Sequence, residues 1–224
     1  MKDKMFTDTT MRTRIPAEGL HLCASCLSSV VSLLLFACAL RADTTHIDSI
    51  GKIVENAILQ TSVTKYYDPA YVKIDYPNGD VPMERGVCCD VIVRAFRSVG
   101  IDLQEKIHRD MDAAFGSYPR NWGLKKPDPN IDHRRVPNIM TYLRRQKKSL
   151  PVSRHGGDYR PGDIVTWKIP GNLDHIGIVV NVPVNGTERF EMVHNIGNGA
   201  KMEDVLFEFT ITGHYRYFAE RQRI

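Results

Sequence analysis

The sequence predicts an α+β domain in which N-terminal helices pack on a C-terminal antiparallel sheet. Two observations predict it. Helical periodicities dominate residues 46–146, whereas from Tyr159 onward apolar residues recur in short strand-like runs separated by turn signals. No internal repeat and no linker divides the chain after its first 42 residues, so 43–224 reads as one domain.

His46 to about Thr61 reads as the first helix, with Ile47, Ile50, Ile53, Val54, Ala57 and Ile58 on its inner side. Tyr71 to Tyr76 alternates as a short strand, and Pro77-Asn78-Gly79-Asp80 marks a turn. A second helix opens at Cys88. Val91, Ile92, Ala95, Phe96 and Val99 follow at i+3, i+4, i+7, i+8 and i+11, which is one apolar stripe. Cys88 begins that stripe, while Cys89 points about 100° away from it. Gly100 is placed to end the helix. Asp102 to Phe115 reads as a third helix and Val136 to Gln146 as a short fourth one. Between them, Gly116 to Asn138 is a long Pro-rich polar stretch, ordered by Tyr118 and Trp122; loops of that length in a compact domain usually serve a function. Five strands are expected after the Pro161-Gly162 turn: Asp163–Trp167, Asp174–Asn181, Arg189–Asn195, Asp204–Phe209 and Gly213–Phe218. Gly197-Asn198-Gly199 reads as a turn between two of them.

The first 42 residues differ in kind. Lys2, Lys4, Arg12 and Arg14 precede an almost uncharged apolar run from Cys26 to Leu40, too short to span a bilayer comfortably. A basic region, a short apolar region and small residues describe an export signal, which places the domain in the periplasm or cell envelope. Two processing routes fit. Leu35-Phe36-Ala37-Cys38 has the form of a lipobox, which would make a lipid on Cys38 the membrane contact; cleavage after Ala42 would release a soluble protein. The formal net charge of +4 is a mild excess that suits an anionic envelope polymer. The run Arg144, Arg145, Lys147 and Lys148 has no interleaved aromatics, so it reads as a solvated helix face and not a nucleic-acid contact.

Of five cysteines, Cys23, Cys26 and Cys38 lie in the leader, which leaves Cys88 and Cys89 in the domain. Neighbouring cysteines seldom form a disulfide, because the bridge strains the peptide between them. An exported domain with two thiols and no disulfide framework keeps them for another reason. A thiol at a helix N-terminus meets unpaired N–H groups and the positive end of the dipole, which lower its pKa. It then needs a base. His175 opens a strand on the face opposite Ile176, Ile178 and Val180, and Gly177 leaves room beside it. Phe190, Met192 and His194 share a face of the next strand, so His194 comes near His175 if the two strands are neighbours. Cys88, His175 and His194 then form a nucleophile, a base and an orienting group.

Zinc is the competing chemistry, with His133, His155, His175, His194, Asp128, Asp132 and Asp174 as conceivable ligands. None has a compact ligand spacing, and no metal site is expected. The chain also lacks a P-loop, a dinucleotide-binding glycine pattern after a strand, and a serine nucleophile elbow, so no cofactor is implied.

These residues carry a resemblance. Gly86-Val87-Cys88 opening a helix, Arg160-Pro161-Gly162-Asp163-Ile164-Val165, Asp174-His175-Ile176-Gly177-Ile178-Val179 and Val193-His194-Asn195 resemble the NlpC-type papain-like cell-wall cysteine peptidases. The segments Tyr67 to Asp90, Tyr118 to Leu124, Pro127 to Pro137 and Thr212 to Tyr217 are similar to the YijF-like family of uncharacterised exported bacterial proteins. The resemblance implies a papain-like fold with Cys88 as nucleophile, His175 as general base and His194 as its orienting partner. It implies peptidoglycan or a related envelope peptide as the substrate, cleaved at an amide bond. Tyr76, Asp90, Tyr118, Trp122 and Arg134 are the expected substrate contacts. One departure stands out: the peptidases carry Asp-Cys-Ser-Gly at the nucleophile, and this chain has Val87-Cys88-Cys89-Asp90. In those enzymes that Asp and Ser contact the N-terminal end of the peptide, so the departure bears on stem-peptide specificity and not on the triad, and Asp90 either takes a related role or caps the helix. A non-catalytic envelope-binding domain and an acyltransferase are the alternatives on the same scaffold.

Overall fold

The computed structural model describes residues 46–218. The leader, its Cys38 and both processing routes lie outside the described residues. Helix α1 covers residues 46–63; Ile53, Val54 and Ala57 are buried, but Ile47, expected on the inner side, is exposed at its start. Strand β1 (Tyr66–Tyr67) pairs in parallel with β2 (Arg85–Gly86), which leads directly into α2 (Cys88–Arg97). Helix α3 (Leu103–Ala114) follows, with the Asp102 side chain accepting from the Gln104 N–H as its N-cap. Helix α4 (Val136–Arg145) has Pro137 in its first turn, where no N–H is needed. The C-terminal half is a sheet in the order β3 (Ser149–Leu150), β8 (Thr210–Tyr215), β4 (Ile164–Ile169), β5 (Leu173–Pro183), β6 (Phe190–Asn195) and β7 (Ala200–Glu203), antiparallel at every pairing. The expected class, helices followed by an antiparallel sheet, is the one observed.

Both faces of the sheet are covered. Ile176, Ile178, Val180 and Val193 meet the helices, joining Ile92 and Phe96 of α2, Leu103 and Ile107 of α3, and Ile139 and Leu143 of α4 in one core. On the other face Val165, Trp167, Val179 and Met192 pack beneath Tyr159, Val205 and Leu206. That second layer explains a correction. Asp204–Phe209 is a turn, not a strand, because its apolar residues cap this face and the Leu206 carbonyl accepts from the Trp167 indole N–H at 3.0 Å. The strand in this region is β7, which ends at Glu203, just before the turn. The expected strand at Tyr71–Tyr76 is also absent. Side chains satisfy its backbone instead: Asn130 accepts from the Ile74 N–H and Gln104 donates to the Asp75 carbonyl.

Asp163 anchors the sheet to its C-terminal strand. Its buried carboxylate accepts two bonds from Arg216 at 2.7 Å, one from His214 Nε2 at 2.7 Å and one from the Arg160 N–H. Burial works against the charge, but the bonds from His214 and Arg216 outweigh it and hold the carboxyl below the usual range. A carboxylate depressed in the folded state adds stability above its unfolded pKa, and that stability is lost as pH falls through the folded value. Urea unfolding should therefore show a steeper acid loss of stability for the wild type than for Asp163→Asn, which starts lower at neutral pH. Parallel acid profiles for the two proteins would remove this anchoring role.

Candidate active site

Helix α2 is the most enclosed helix of the domain, with Cys88 through Phe96 all buried. The expected contrast between Cys88 and Cys89 is therefore corrected: both thiols are buried, because the start of α2 is enclosed all round and not on one face alone. Both are free thiols. Asp90 at the third helical position accepts from the Val87 N–H at 2.7 Å, which fixes the entry of the chain into the helix. Arg134 grips the same carboxylate through Nε and Nη2, and its remaining donors reach the carbonyls of Ala70 and Asp68. One ion pair thus ties the helix start, the 68–70 loop and the 116–135 loop together.

Cys88 stands at the first position of α2, at the wall of a cleft of about 470 Å³ lined also by Tyr67, Tyr71, Trp122, Arg134, Arg135 and Asp174. The Cys88 thiol is held well below its ordinary value. The Cys89 thiol donating to it is the largest cause; burial opposes; the imidazole of His175 and the Ile176 backbone N–H add to the lowering. Cys89 moves the other way, pushed well up by burial and by its bond to Cys88. Of the pair, Cys88 is therefore the thiol that ionises more readily.

The sheet brings the two histidines together. In the β5–β6 ladder Gly177 faces His194, so His175 lies diagonally across, and His175 Nε2 is 3.0 Å from His194 Nδ1. Gly177 gives the room for this. A Cβ there would come within 3.1 Å of both the Trp167 ring and the Val193 carbonyl and 3.2 Å of the His194 Cβ. Without it, the Trp167 ring stacks beside His175 and closes the back of the site. Burial above all, with the neighbouring His175 and Lys201 adding to it, pushes His194 down to about 4, so it is neutral at neutral pH. Asn195 closes the arrangement from the end of β6, donating to the Gly86 carbonyl two residues before Cys88.

The expected substrate contacts divide. Trp122 and Arg134 line the cleft. Asp90 does not; it is consumed by the helix cap and the Arg134 pair. Tyr118 is buried with its hydroxyl on Asp110 at 2.5 Å. Tyr76 packs edge-on against His108 on α3. The upstream tyrosines of the cleft are instead Tyr67 and Tyr71; the Tyr67 phenol is pushed up to about 12 by burial and by the negative charge at Cys88, so it stays protonated. Sequence reasoning also missed Arg135, whose guanidinium lies 4.1 Å from the centre of the Trp122 ring. A two-residue strand carries too little pattern to single out Tyr67; its proximity to Cys88 comes only from the β1–β2 pairing. Among the described residues, no group of three or more His, Cys, Asp and Glu side chains converges as a metal site would.

Fold and site define an α+β domain with a cysteine at a helix tip facing a histidine pair on an antiparallel sheet. Residues 54–217 match the family described as a domain of unknown function, DUF1287, and the chain belongs to that family. It is 51% identical over 169 residues to the uncharacterized protein YijF of Escherichia coli (strain K12), an alignment covering 75% of this chain and 82% of that protein. No solved structure matches it.

Proposed function

We propose that this protein is an exported cysteine hydrolase of papain-like, NlpC-type architecture, which cleaves an amide bond in peptidoglycan or a related envelope peptide. One observation carries the reading: a thiol held acidic at a helix tip, at a cleft wall, with His175 beside it and His194 3.0 Å beyond. The Cys88 thiolate attacks the scissile carbonyl and forms a thioester, and the amine leaves with a proton from His175. Water then attacks the thioester, His175 taking its proton, and the C–S bond breaks to release the carboxyl product and restore the Cys88 thiolate. The Cys88 N–H, at the first helical position, has no acceptor within its own helix and is placed to donate to the oxyanion. Trp122, Arg135 and Tyr67 form the walls against which a substrate would lie.

Alkylation tests the reading. Iodoacetamide labelling mapped by mass spectrometry is expected to mark Cys88 well below pH 8 and to leave Cys89 unmarked. The Cys88 rate at that pH is expected to fall about tenfold or more in His175→Ala, since the thiolate loses its partner. Labelling of Cys88 with an ordinary thiol's pH dependence, unchanged in the variant, would leave a binding domain as the better reading.

A further inference from the structure

We propose that Glu203 is a positioning residue that fixes which nitrogens of His194 and His175 carry protons, and so leaves His175 Nδ1 turned to Cys88 as the base. The inference rests on the proposed nucleophile role of Cys88 for its consequence, though not for its geometry. In the β6–β7 ladder Lys201 lies opposite His194, and Glu203, two residues further, is on the same face. Its Oε2 is 3.1 Å from His194 Nε2.

The proton arrangement follows from donor and acceptor counting. An ionised carboxylate only accepts, so His194 Nε2 carries its proton. A neutral imidazole has one donor and one acceptor, and burial keeps His194 neutral. Its Nδ1 is then the acceptor, and His175 Nε2, 3.0 Å away, must donate. His175 is left with Nδ1 to take the thiol's proton. The resulting imidazolium keeps both its bonds, because Nδ1 of His194 still accepts.

Reversing the tautomer of His194 breaks this chain at both ends. Its Nδ1–H would face His175 Nε2, which must then accept, and the proton of a neutral His175 would sit on Nδ1, against Cys88. An imidazolium at His175 would point N–H at N–H. Glu203 is about two-fifths exposed, so its charge is screened by solvent; what it controls is the tautomer. Lys201, His175 and Glu203 are the charged and titratable groups set against His194, and of these only Glu203 accepts from Nε2.

The test uses the full chain labelled with nitrogen-15 at histidine. In the wild type, two-bond nitrogen–proton spectra are expected to show His194 as a single Nε2–H tautomer. In Glu203→Ala and Glu203→Gln that preference is expected to be lost. Glutamine is informative because it is nearly isosteric and can donate to Nε2 as well as accept from it. Cys88 alkylation near pH 6 is expected to slow about ten- to a hundredfold in both variants, the usual cost of losing an outer-shell partner or gaining a wrong tautomer, with circular dichroism unchanged. An unaltered His194 tautomer in both variants would overturn the proposal. If wild-type Cys88 itself alkylates as an ordinary thiol, the nucleophile reading fails, while the nitrogen spectra still decide the role of Glu203.

Discussion

Arg134→Met is expected to lower the stability of the domain by about 3–5 kcal/mol, read as a lower urea midpoint at unchanged slope. Both partners of the Arg134–Asp90 pair are almost fully buried, with side chains 2% and 4% exposed. Taking two ions out of water is costly, and their attraction together with good hydrogen bonds compensates for that cost. Here both oxygens of Asp90 bond to Arg134, and Oδ2 also accepts from the Val87 N–H. Methionine keeps much of the volume of arginine but leaves a buried carboxylate with no cation, two residues from Cys88. The double variant Asp90→Asn with Arg134→Met is expected to recover part of the loss, with a coupling above about 1 kcal/mol, because the uncompensated charge is gone. A single-variant loss under about 1 kcal/mol, or strict additivity, would show that the pair does not hold the helix start to its loops.

Long periodic segments were legible in the sequence and short ones were not. Helices α2, α3 and α4 fall within a few residues of the expected spans, because each carries several turns of amphipathic pattern bounded by Asp102, Pro137 or the turn at Gly100. The β5 and β6 strands were legible for the same reason. The alternation at Tyr71–Tyr76 misled because pattern reports where apolar side chains fall, not where backbone bonds go, and here side chains from 104 and 130 take them. Val205 and Leu206 misled in the opposite way: their burial is real, but in a turn that roofs the second face of the sheet. The Cys88, His175 and His194 constellation could be read because each residue sits at a patterned element. Glu203 could not, since the expected strand begins one residue after it, at Asp204, and the β6–β7 register alone brings Glu203 beside His194. Asp90 and Arg134 were singled out by their chemistry, but nothing local revealed that they neutralise each other.

Cys88→Ala is expected to lower cleavage of purified peptidoglycan fragments by at least about 10³-fold, measured as newly freed amine, and His175→Ala by a similar factor. The two losses should not add in the double variant, since neither group catalyses without the other. His194→Ala should cost less, because the base remains and only its orientation is lost. The pH profile separates these roles. As pH falls toward 4, His194 gains a second N–H and can no longer accept from His175, so the rate should drop on the acid side. His194→Gln, whose amide oxygen can accept without titrating, should remove that part of the acid limb and keep a reduced rate at neutral pH. Cys89→Ala tests the thiol pair from the other side. It removes the bond that most lowers the Cys88 thiol, so the profile should move toward higher pH while the limiting rate is largely kept. Cleavage that persists at the wild-type rate in Cys88→Ala, or that falls equally in Cys89→Ala across all pH, would assign the chemistry to something other than a Cys88 thiolate.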